Sequence, residues 1–163
     1  TGLSRSSLYH AFGSMRGLFD AVVQNYLDTV VRPRLRGLQA DVVAPNALAD
    51  YLHELADAIA QRAGVVPDAA EEPTGCLLIA TAVTSLGTDG AGREVIATYH
   101  HELLCAVTAG LRATAPDAGV ADVEERASVV AGAVISANVL ARVNASEAVR
   151  LLRATADTVA VSV

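Results

Sequence analysis

The sequence predicts an all-α protein. Three observations lead there. Hydrophobic residues make up 52% of the 163 residues but aromatics only 4%, with no Trp, so Ala, Val and Leu must fill the core; such a composition favours helices over sheets. Apolar residues recur at i, i+3 and i+4 in block after block, and no segment shows the period-two alternation of a half-buried strand. Turn-forming residues divide the chain into blocks of helical length, with no internal repeat and no low-complexity tract.

The blocks run as follows. Ser4 caps a short helix over Arg5–Phe12, which Gly13 ends, and Ser14 caps the next one; a hydroxyl at such a position satisfies one of the free N–H groups of the first turn. The second helix carries Leu18, Phe19, Val22, Val23, Tyr26, Leu27, Val30 and Val31 as a broad apolar stripe, and Pro33 kinks or ends it. Pro45-Asn46 opens a helix with a narrow seam of Leu48, Leu52, Leu55 and Ile59, stopping at Gly64. An acidic, Pro-bearing loop follows through Pro73. The stretch Thr74–Leu86 is apolar nearly all round, the pattern of a helix buried at the centre of the body. Gly87, Gly90 and Gly92 make a turn, and a long helix from about Arg93 to Ala113 presents Ile96, Tyr99, Leu103, Val107 and Leu111. After the break at Pro116–Gly119, two helices run from about Val120 to Val143 and from about Ser146 to the end. The first presents Val123, Ala127, Val130, Val134 and Ala141; the second presents Val149, Leu152, Ala156, Val159 and Val163 at 3-4-3-4 spacing, a spacing suited to helix-on-helix packing.

Charge is uneven. All twelve basic residues are Arg. Residues 1–36 hold Arg5, Arg16, Arg32, Arg34 and Arg36 against Asp20 and Asp28, while the remainder is strongly acidic within a total of −6. Either the head meets an anion and the body does not, or this is ordinary scatter in surface charge. Two cysteines, Cys76 and Cys105, form no disulfide framework and point to a reducing, cytoplasmic setting. The longest apolar runs fall far short of the ~20 residues a membrane span needs.

The stretch Thr1 to Phe19, T-G-L-S-R-S-S-L-Y-H-A-F-G-S-M-R-G-L-F, resembles the second half of the TetR-family helix-turn-helix. Gly2 stands at the turn, Leu3 follows, Tyr9 and Phe12 give the Tyr-x-x-Phe signature, and Gly13, Ser14 and Leu18-Phe19 complete the pattern. The body resembles the family more loosely, through helix count, the Gly75-Cys76-Leu77-Leu78 opening and two long terminal helices. The resemblance implies a head of residues 1–36, whose recognition helix (about 4–12) enters the major groove of a double-stranded operator, and a ligand-binding and dimerisation body of residues 37–163. Arg5, Ser6, Ser7 and His10 lie on the exposed side of that helix, Leu8 and Phe12 on its inner side. Arg5 is the best base reader, since a guanidinium fork matches guanine O6 and N7; the Tyr9 hydroxyl and the helix start at Ser14 suit phosphates. Where the family has a Lys after the cap, this chain has Met15, with Arg16 beside it. Loss of that contact would make the salt dependence shallower by roughly one unit of slope. The family head also has two earlier helices, which would lie before Thr1 and on which Leu8 and Phe12 would pack.

In the body, Tyr51, Cys76, Thr81, Thr84, Tyr99 and Asn138 are polar groups on apolar faces. They are either satisfied core groups or the anchors of a pocket for a small apolar or weakly polar effector. Each cysteine is either a small buried hydrophobe or a thiol sensor. His100 and His101, as neighbours on a helix, point about 100° apart and chelate poorly, so no metal and no cofactor is expected. With no G-x-S-x-G, H-E-x-x-H, phosphate loop or C-x-x-C, an enzyme is not expected either. The terminal helices, through Val130, Val134, Ala141, Val149, Leu152, Ala156 and Val159, are expected to pair with their copies in a four-helix homodimer interface. The expected function is a ligand-responsive transcriptional regulator, a repressor released from a palindromic operator by a small molecule. The alternatives are a helical small-molecule- or partner-binding dimer that does not use DNA, and a thiol-based redox regulator.

Overall fold

The computed structural model describes residues 10–64, 75–82 and 84–160, and among them every regular element is helical. The chain divides into two compact units, Thr1–Arg34 and Leu35–Val163.

In the first unit a helical turn at residues 10–12 ends at Gly13, and α1 (Met15–Tyr26) begins after Ser14. The chain continues through a π-helical stretch, Leu27–Val31, directly into a short α2 (Arg32–Leu35). Pro33 therefore neither ends nor sharply breaks the helix. A proline has no N–H to give the carbonyl four residues back, and its ring crowds that carbonyl. The wider turn just before Pro33 absorbs the defect, and the Arg32 N–H reaches Leu27 O across it. Of the broad apolar stripe expected here, Val23, Leu27 and Val31 are buried, four residues apart, while Val22 is exposed. On the outer side Gln24 Nε2 donates to both Asp28 carboxylate oxygens at 3.2 Å, and Arg32 pairs with the same carboxylate.

The second unit opens with a 3₁₀ turn (Arg36–Leu38) and contains α3 (Ala47–Gly64), α4 (Leu77–Ala82), α5 (Ser85–Thr88), α6 (Gly90–Thr114), α7 (Val120–Leu140) and α8 (Ala145–Ala160). α8 packs most extensively on α3 and next on α7, α7 packs on α6, and the short α4 lies against α6 and α7. The expected seams are in place: Leu48, Leu52, Leu55 and Ile59 on α3, and Tyr99, Leu103, Val107 and Leu111 on α6, are all buried. Ala56, Ala106, Ala127, Ala131, Ala137, Ala148 and Ala156 fill the spaces between them; small side chains let backbones approach, and each fully buried Leu contributes on the order of 1.5–3 kcal/mol. Gly110 of α6 is one such close approach, since a Cβ there would lie 2.7 Å from Leu48 Cβ and 2.8 Å from Leu38 Cδ2. The Thr114 hydroxyl donates to Pro45 O at 2.7 Å, tying the end of α6 to the loop before α3.

One expectation is corrected. The single central helix over Thr74–Leu86 is two short ones. Thr84 is extended (φ −106°, ψ 166°), and its hydroxyl donates to Thr81 O at 2.7 Å, closing a turn where the apolar pattern alone gave no stop. The seam expected to pair with a second copy is also packed within the chain. Val130, Val134, Ala141, Leu152, Ala156 and Val159 are buried inside one chain, with Val149 half-buried, because α7 and α8 pack on each other and α8 on α3. The 3-4-3-4 spacing is spent on intramolecular packing. The outward face of α7 carries Val129 (68% exposed), Gly132, Ser136 and Val139 (49% exposed), with Val143 (80% exposed) just beyond it.

Gly110→Ala tests the close approach. In an open helix the change stabilises by about 0.5–1 kcal/mol; here, with Leu48 Cβ in the way, it is expected to lower the melting temperature. An increase would show that α3 and α6 are not held this tightly.

Candidate functional site

The elbow between the first helical turn and α1 is built by local chemistry. Gly13 sits at φ +70°, the left-handed region that ends helices. Ser14 is extended, and its hydroxyl oxygen accepts the Gly17 N–H at 2.9 Å, so it is the N-cap that the sequence assigns to it. Gly17 is needed at that position for a different reason: a Cβ there would lie 2.2 Å from the Phe12 carbonyl oxygen. The last turn of the preceding helix thus rests directly on the first turn of α1. His10 and Ser14 are both exposed, as is Phe12 at 39%, while Arg5, Ser6, Ser7 and Tyr9 lie outside the described residues. Met15 is exposed, and Arg16 bonds Asp20 at 2.8 Å and lies 5.5 Å from the Phe19 ring centre. For Arg16 to serve a phosphate in place of the family's Lys, it would have to leave that partner.

The six pocket candidates divide. Tyr51, Cys76, Thr81, Tyr99 and Asn138 are buried, and Thr84 is exposed. Thr81 donates its hydroxyl to Leu77 O at 2.9 Å, and Asn138 donates its amide to Val134 O at 2.9 Å, each one turn back on its own helix. Thr84 likewise bonds Thr81 O. These donors are satisfied locally, which is what a core hydroxyl or amide requires. Gly75, at φ +97°, brings the start of α4 onto α7, where a Cβ would stand 2.3 Å from Asn138 O. Cys76 and Asn138 are thereby placed on neighbouring elements.

The two cysteines are free and differ in setting. Cys76 is buried, at 5% exposure, and Cys105 is exposed, with its Sγ 3.6 Å from His101 Nε2. Sequence reasoning treated the two alike and weighed His101 only against its neighbours. The signal that would have found the pair is their four-residue spacing, which puts both on one helix face. Among the described residues no three His, Cys, Asp or Glu groups gather as a metal site. Nor is any helix there long and apolar enough to cross a membrane.

Asp28, in the π-helical stretch that follows α1, has its carboxyl held below the ordinary 3.8, first by the Gln24 amide and then by Arg32.

No protein-family profile matches the chain, and no curated protein matches it. Among solved structures it is similar to a cysteine double mutant of the TetR family transcriptional regulator CifR, complexed with a 26-base-pair double-strand operator DNA. The likeness has a TM-score of 0.72 and 25% sequence identity, and it covers 95% of this chain and 80% of that one.

Two measurements check this region. Ser14→Ala should speed hydrogen exchange of the Gly17 amide in the first turn of α1, roughly fivefold for loss of a cap worth about 1 kcal/mol; unchanged exchange would remove the cap from the account. A depressed carboxyl stabilises above its ordinary value and stops doing so as pH falls through its folded value. An acid titration of helicity should therefore lose a step below about pH 3.8 in Asp28→Asn, and identical curves would show that the Gln24–Asp28–Arg32 ladder contributes nothing.

Proposed function

Because the chain has the fold of the TetR family of transcriptional regulators, we propose that it is a ligand-responsive, DNA-binding regulator that represses from a palindromic operator and is released by a small molecule. The observation that carries this reading is the likeness, over 95% of the chain, to a regulator whose structure holds operator DNA. The elbow supports it: Gly13, the Ser14 cap and the close contact at Gly17 set the angle at which the helix ending at Phe12 leaves α1. In this reading Arg5, Ser6, Ser7, Tyr9 and His10 face the major groove. The free N–H groups at the start of α1, beside Ser14, bind a backbone phosphate.

The reading needs two copies, since a palindrome is matched by a two-fold axis. The residues left for that role are the outward face of α7, Val129, Gly132, Ser136 and Val139, rather than the seam already filled within the chain. Release follows from linkage. An apolar or weakly polar effector shifts the population toward a state unfit for the operator only as far as it binds that state more tightly. Tyr51, Cys76, Thr81, Tyr99 and Asn138 are the body groups proposed to meet it, and Thr84, exposed, is the weakest of the set. The continuous helix from Met15 to Leu35, with its π turn, is the connection along which such a shift would be carried.

Fluorescence anisotropy of the full-length gene product on the region before its own gene, at two salt concentrations and against a scrambled duplex, tests the operator. Selective, salt-sensitive binding that falls by roughly 1–3 kcal/mol in Arg5→Ala is expected for loss of a base contact; equal weak binding to both duplexes would overturn it. Sedimentation of Val139→Arg tests the second copy. A shift from dimer to monomer with helicity intact is expected, and an unchanged dimer would place the interface elsewhere.

A further inference from the structure

We propose that Cys105, with His101 as its proton acceptor, is a covalent modification site for α,β-unsaturated carbonyl compounds. The two side chains share the outward face of α6, with Sγ and Nε2 3.6 Å apart. A sulfur nucleophile reacts as thiolate, so it needs somewhere for its proton to go and a path for its electrophile. His101 supplies the first, in the tautomer that carries its own proton on Nδ1 and leaves Nε2 as acceptor. Exposure of Cys105 and His101 supplies the second. Cys76 has neither the open path nor an imidazole within hydrogen-bond reach in its described contacts, and it serves as an internal control in the same chain.

The step closes without any further reagent. The Sγ–H proton passes to Nε2, and a sulfur electron pair forms a C–S bond to the β-carbon of the conjugated carbonyl. The C=C π pair moves onto the carbonyl as an enolate, whose α-carbon takes the proton back from the imidazolium. Every atom of the electrophile is retained, nothing is oxidised or reduced, and His101 ends neutral. An addition of this kind matches what the pair offers: one thiol, one base and open solvent. The site does not depend on DNA binding, so its failure and that of the operator reading are separate results.

The experiment is intact-mass spectrometry of the full chain with methyl vinyl ketone under reducing-agent-free conditions. One adduct is expected on the wild type and on Cys76→Ser, and none at the same exposure on Cys105→Ser. His101→Ala should slow the addition roughly tenfold, at the low end for loss of a positioned base. Added imidazole should restore the rate by more than it accelerates glutathione in the same buffer, a rescue that a merely structural histidine would not show. Circular dichroism confirms that each variant is folded. An adduct on Cys76 in place of Cys105, or a His101→Ala rate equal to wild type, would overturn the proposal.

Discussion

Close approach of helix backbones is the constraint on which the body depends. With aromatics at 4% and no Trp, there is little large side-chain volume with which to hold helices apart and fill the gap between them. The core is made instead from Leu and Val set among Ala, with Gly110 where α6 meets Leu48 and Leu38, and Gly75 where the start of α4 meets the backbone of α7. Interiors packed in this way are intolerant of added volume, because neighbours cannot shift without losing contacts elsewhere. The long amphipathic helices follow from that constraint: each buries a row of larger apolar residues with Ala or Gly set into it where a neighbour comes close.

Much of this was legible in the residues. The seams on α3 and α6 could be read from four-residue spacing, and α7 and α8 from their length and the Pro116–Gly119 break. The rest was not, for identifiable reasons. Periodicity says that a face is buried but not what buries it, so the seam through Val134 and Leu152 reads the same whether the partner helix is in the same chain or in another. An all-apolar stretch hides its own interruptions, and only the Thr84 side chain, bonding back to Thr81, marks the break between α4 and α5. In the candidate site, Ser14 was visible as a cap because capping is local chemistry. Gly17 was invisible as a close contact because it depends on where the Phe12 carbonyl falls in space. His101 and Cys105 were both noticed, but each beside its immediate neighbours rather than across one helical turn.

The connecting helix links these observations to function. At one end it is fixed by a cap and by backbone contact at the elbow, and at its other end it passes Pro33 without stopping. Its exposed side is laced by Arg16 with Asp20 and by Gln24 and Arg32 with Asp28. Exposed pairs of this kind add little stability singly, but together they help to keep the helix intact over its length.

The π turn carries a consequence of another sort. Such a turn is, in effect, one extra residue accommodated within an α-helix. Residues on either side of Leu27–Val31 keep their own faces only because the surplus residue is looped into the wider turn. A chain one residue shorter between Leu27 and Val31 would lose the wider turn and set the Pro33 ring against the carbonyl four residues before it. The length of this stretch and the proline after it are therefore linked, and loss of one residue is tolerable only together with loss of the proline.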